Sequence, residues 1–90
     1  MKIDENKIDE MIDKIINHYG KEHQRMKACE ELAELQVALF HDYIDDIKEE
    51  VADVYIMLEQ IVKIYGIKDI TLGSKIERKL ERTISRINDN

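Results

Sequence analysis

Apolar residues recur at helical spacing through four stretches of the chain, each closed by a punctuating residue or a break in the pattern. Ile8, Met11, Ile12, Ile15 and Ile16 predict a first helix from about Asp4 to His18. Gly20 supplies the left-handed residue that ends such helices. A second helix is expected from about Glu22 to Phe40, with Ala28, Leu32, Leu35 and Leu39 on one face. The spacing breaks near His41 to Tyr43 and resumes from about Asp45 to Tyr65 through Ile47, Val51, Val54, Leu58, Ile61 and Val62. That third helix closes in Tyr65-Gly66-Ile67, glycine at the stop and an apolar residue after it, as a Schellman ending prefers. A fourth helix is placed from Ser74, because Ser74 and Glu77 have capping-box spacing, and it turns Ile76, Leu80, Ile84 and Ile87 inward.

Four amphipathic helices with short connections describe an all-α, four-helix bundle-like single domain over residues 1–90. The stripes on the first and third helices are broad, with Tyr55, Met57 and Tyr65 added to the third, more than a bundle of this size covers by itself. Completion by oligomerisation is therefore expected. Composition agrees: proline is absent, glycine occurs three times, and 43% hydrophobic content is too high for intrinsic disorder. A formal charge of -6 argues against nucleic acid as a partner, since neutralising phosphates takes an excess of Lys and Arg. No apolar run approaches the ~18 residues of a membrane span. The start, interrupted by Lys2, Asp4, Glu5 and Lys7, does not read as a signal peptide. The lone Cys29 reads as a small buried hydrophobe and suits a reducing cytoplasm.

Charge patterning then singles out two acidic pairs, Glu31-Leu32-Ala33-Glu34 and Glu50-Val51-Ala52-Asp53, one on each of the central helices. Side chains three apart share a helix face, so each pair presents two carboxylates in one direction. From Phe40 back to Glu34 and Glu31 is ~9 and ~13.5 Å at the helical rise; from Asp45 on to Glu50 and Asp53 is ~7.5 and ~12 Å. An antiparallel hairpin therefore brings Glu34 level with Glu50 and Glu31 level with Asp53. Four converging carboxylates repel one another unless a cation lies among them, and oxygen-only ligands suit magnesium or manganese. Another pair, Glu10-Met11-Ile12-Asp13, has the same spacing, so spacing alone is a weak signal. Context separates the two sets: Glu50 stands between Ile47 and Val54, and Glu31 begins a column through Leu35 and Ala38. A charge bordering an apolar stripe is costly when uncompensated.

Gln24, Lys27, Glu31 and Glu34 form one polar line on the second helix. Lys75, Lys79, Arg82 and Arg86 form a cationic line on the fourth, with Arg78 beside it. In an acidic chain such a line suggests an anionic ligand. It equally suits a helix whose cations favour its C-terminal dipole and pair with Glu77 and Glu81. Asp42, Asp45, Asp46 and Glu49 decorate a turn and a helix start, without the glycine of an EF-hand loop. Zinc spacings, a P-loop and nucleophile motifs are absent.

Gln24, Lys27, Glu30-Glu31-Leu32-Ala33-Glu34-Leu35, Glu49-Glu50-Val51-Ala52-Asp53-Val54 and Lys79-Leu80-x-Arg82-x-x-x-Arg86 together resemble the MazG-like nucleotide pyrophosphohydrolases of the all-α NTP pyrophosphatase superfamily. The resemblance spans about Gln24 to Arg86. It implies a Mg2+-dependent enzyme (Mn2+ as a substitute) that converts a nucleoside triphosphate to the monophosphate and pyrophosphate, including house-cleaning of non-canonical nucleotides. It implies Glu31, Glu34, Glu50 and Asp53 as catalytic metal ligands, and Gln24, Lys27, Lys79, Arg82 and Arg86 as substrate contacts. It implies a cytoplasmic homodimer or homotetramer. Phosphoribosyl-ATP pyrophosphatases, which are related, carry a histidine soon after the aspartate, and Val54-Tyr55-Ile56-Met57 has none. The alternative is a non-catalytic helical dimerisation or regulatory module whose acids are surface charge.

Overall fold

Local signals set the helix ends in the computed structural model, which describes residues 1–89. Asp4 accepts a hydrogen bond from the Lys7 backbone N–H and starts α1 (Glu5–Tyr19). Gly20, at φ 92° and ψ 155°, joins α1 to α2 (Lys21–His41) in a conformation open to glycine rather than in the left-handed helical one. Asp42 takes the left-handed position, φ 59°, and the chain reverses into α3 (Ile44–Ile64). After α3, the Ile67 N–H bonds the Val62 carbonyl and the Gly66 N–H bonds that of Lys63, the complete Schellman pair.

α4 runs Asp69–Asn88, five residues earlier than the Ser74 start expected from the capping box. Its N-cap is Lys68, with no side-chain cap, and Gly73 and Ser74 lie inside the helix. The box lost to the first turn's own backbone bonds, such as Leu72 N–H to Lys68 O.

The molecule is all-α and bundle-like, with its centre in the α2–α3 hairpin. α1 packs less extensively against both, and α4 packs on none of them. The hairpin seam follows a heptad rhythm, alternating steps of three and four. α2 supplies Gln24, Ala28, Glu31, Leu35 and Ala38; α3 supplies Ile47, Glu50, Val54, Met57, Ile61 and Ile64, all buried or half-buried. Ile12 and Ile16 of α1 close the core. Lys63 ties α3 to α1 through Asp9 at 2.6 Å and Asp13 at 2.7 Å.

Three expectations about burial are corrected. α2 does not bury Leu32 and Leu39, which are exposed; it turns inward the neighbouring face of small and polar residues. α2 is apolar on two faces, and the alanines let the helices approach where leucine would hold them apart. Ile76, Leu80, Ile84 and Ile87 do not point into a core, since no residue of α4 is buried. Cys29 is exposed, one turn from Leu32 on the outer face. No helix among the described residues is long and apolar enough to cross a membrane.

Candidate metal centre

A contact deep in the hairpin marks its antiparallel register. Gln24 Nε2 donates to Gln60 Oε1 at 2.8 Å, Gln60 is 1% exposed, and its own Nε2 donates to Met57 Sδ at 3.7 Å. His23 Nδ1 stands 2.8 Å from Gln24 Oε1 and donates to it in the Nδ1–H tautomer. Moving along both helices from Gln24 and Gln60 in equal steps of seven reaches Glu31 and Asp53. Three residues further come Glu34 and Glu50. The hairpin thus has the register that levels the acidic pairs.

Carboxylate oxygens of Glu31, Glu50 and Asp53 all lie within 4.8 Å of one another. Glu34 stands just outside this group, and its charge still bears on Glu50. Burial first, then the neighbouring charges of Glu34, Asp53 and Glu31, push the Glu50 carboxyl above its ordinary value. Asp53 is pushed up by burial and then by Glu31 and Glu49, with Lys27 opposing. Each raised group marks an anion that dislikes its place without a counter-charge.

The unusual feature is where two of these anions sit. Glu31 and Glu50 occupy seam positions that elsewhere hold Ala, Leu, Val and Met. Glu31 is only 7% exposed. One oxygen of each, Glu31 Oε2 and Glu50 Oε2, is buried with no hydrogen-bond partner. Burying a polar atom unpaired costs about 1–3 kcal/mol, and more when it is charged. A cation held by oxygen donors alone meets that demand and fits the set Glu31, Glu50 and Asp53. Among the described residues, the cation that pairs with the cluster is Lys27, 3.3 Å from Glu31 and 3.4 Å from Glu30. It is half exposed and touches only the edge of the cluster.

The other residues singled out in the sequence fall elsewhere. Gln24 is buried, with its amide engaged by Gln60 and His23, so it supports the hairpin and does not face a surface ligand. Lys79, Arg82 and Arg86 lie exposed on α4, away from α2 and α3, so one chain does not bring them to the acids. Among the described residues they make no salt bridge, so pairing with Glu77 and Glu81 does not account for them. Asp13, of the look-alike pair, is bonded to Lys63. Gln60 went unnoticed in the sequence; the heptad rhythm of α3, read beside that of α2, carries the signal for it.

Compared with protein-family models, characterised proteins and solved structures, the chain matches none.

Proposed function

We propose that this chain is a Mg2+-dependent nucleoside triphosphate pyrophosphohydrolase, cleaving NTP or dNTP between the α- and β-phosphates to the monophosphate and pyrophosphate. The observation that carries the reading is the pair of partnerless, buried oxygens of Glu31 and Glu50 in a seam shared with Asp53. A surface-charge role would not place them there. A divalent cation at the four acids would supply neutralisation of the reacting phosphates and orientation of the attacking water. Glu31 and Glu50 are held by the hairpin packing, so their oxygens need no reordering. An acid oxygen left free of ligation accepts the proton of the water. Lys27 steadies the phosphate chain at the edge of the cluster.

The basic line belongs to the same proposal through a second chain. Lys79, Arg82 and Arg86 cannot reach their own acids, and the exposed apolar line of α4 needs cover. A homodimer or homotetramer meets both conditions. The intracellular nucleotide pool makes the cytoplasm its place of work, with non-canonical nucleotides among its substrates.

The exposed apolar faces also favour a second reading, a helical dimerisation module without catalysis. Phosphate release in the presence of added inorganic pyrophosphatase, over a panel of common and modified triphosphates, separates the two. Release that requires magnesium supports the enzyme. Dimerisation without release for any triphosphate supports the module.

A further inference from the structure

The acid cluster has two unlike flanks. Toward the start of α2 stands Lys27, one helical turn from Glu31. Toward the turn, Glu34 and Glu50 line an open cavity of about 350 Å3. Its remaining wall is mainly Val37 and Ala38, with His41 and Asp46 at the far end. That volume falls in the ~300–1,000 Å3 range of small-molecule sites, and an apolar wall with a few polar groups is their usual lining. The partnerless Glu50 Oε2 belongs to a residue shared by cavity and cluster.

Charge decides how a triphosphate lies across such a site. The turn carries Asp42, Asp45 and Asp46, which repel phosphate, while the opposite flank offers Lys27. We infer that a nucleotide lies along the α2–α3 groove in one direction, its nucleoside in the Val37–His41 cavity and its pyrophosphate end toward Lys27. This rests on the triphosphate reading above and adds a direction and a base preference to it. Val37 and Ala38 receive the flat face of the base. The Asp46 carboxylate only accepts hydrogen bonds, so facing the exocyclic position of the base it accepts from the amino group of cytosine or adenine and is repelled by the carbonyl oxygen that uracil or thymine carries there. His41, which lines the cavity, stacks with Tyr43 at 6.1 Å.

Steady-state kinetics on dCTP and dUTP test the direction. Val37 is exposed, so Val37→Trp fills the cavity without touching the core. It should raise KM ~tenfold or more while the magnesium-induced Tm shift stays. Asp46→Asn should cut the dCTP-over-dUTP preference ~tenfold. Lys27→Ala should weaken both substrates equally and lower affinity for pyrophosphate while that for dCMP stays. Turnover with KM and base preference unmoved by Val37→Trp and Asp46→Asn, or a base preference moved by Lys27→Ala, overturns the inference. Titration with dCMP, followed by amide chemical shifts, keeps it separate from the parent reading. Shifts at Val37, Ala38 and His41 without any triphosphate turnover support the nucleoside cavity and overturn the hydrolase. Absence of both overturns the two together.

Discussion

Glu50 is the residue at which packing and chemistry pull in opposite directions. In the seam between Ile47 and Val54, a neutral side chain would suit the metal-free fold better than a carboxylate does. Glu50→Gln should therefore raise Tm in EDTA and abolish the rise that magnesium gives the native chain. If the acids hold magnesium as proposed, the ion at ten times its Kd should add about 1.4 kcal/mol to the native chain by mass action, roughly 6–11 °C for a domain of this size. Asp53→Asn should likewise lose that rise together with hydrolysis, because an amide brings no negative charge. Asp13→Asn, which loses only the Lys63 pair, should keep both. Equal magnesium responses in the Asp53 and Asp13 variants would refute the ligand set. The same groups set a pH signature. Glu50 and Asp53 have raised values in the fold, so the folded state holds more protons than the unfolded one through that window. Stability from these two groups is then present below their ordinary values of 4.5 and 3.8 and is lost as pH rises through the raised ones. Thermal melts in EDTA from acid to neutral pH should show the native chain losing ground to Glu50→Gln as pH increases. Magnesium should reverse the order at neutral pH.

At the scale of elements, one buried amide pair reinforces the register that helix rise and the short turn give the α2–α3 hairpin. Removing one partner, as in Gln60→Met, strands the Gln24 amide at a cost of about 1–3 kcal/mol. The double change Gln24→Met with Gln60→Met should recover most of that, and urea melts of the four proteins give the coupling directly. A sum of single effects with no recovery would mean the pair does not act as a unit. The hairpin register was legible in the sequence because it follows from helix rise and a short turn, and Gly66 was legible because a Schellman ending is a local event. The buried face of α2 was not, since leucines at Leu32 and Leu39 advertise hydrophobicity more strongly than Ala28 and Ala38 advertise close approach. The start of α4 was misplaced for a related reason: Ser74 and Glu77 make a good cap by spacing, yet Gly73 is tolerated inside a helix at about 1 kcal/mol. That Glu31, Glu50 and Asp53 come together could be read from the sequence. Their burial could not, because it depends on which face α3 presents to α2.

The whole molecule is more extended than its length requires. A radius of gyration of 15.7 Å compares with ~12 Å for a compact domain of ninety residues, and the excess goes with α4 standing clear of the other helices. An isolated helix of this length is marginal in water, and most helical stability comes from packing an apolar face. α4 has such a face, with Leu80 62% exposed, and a second apolar line runs on α3 through Val51, Tyr55, Leu58 and Tyr65. Two chains that exchange α4 helices would cover both and carry Lys79, Arg82 and Arg86 to the partner's acids. Light scattering should therefore return at least a dimer, and Leu80→Glu should return a 10.7 kDa monomer with little activity. Lys79→Ala and Arg82→Ala should each slow turnover ~tenfold, about 1.4 kcal/mol of barrier, with Tm nearly unchanged, and Arg78→Ala should do neither. The decisive experiment mixes two inactive proteins, one Asp53→Asn and the other Lys79→Ala with Arg82→Ala, after subunit exchange. If the basic line serves the partner's acids, mixed assemblies contain one site with all its groups intact, and up to about a quarter of native activity returns on statistical mixing of dimers. If each chain serves itself, every site keeps one defect and mixing restores nothing.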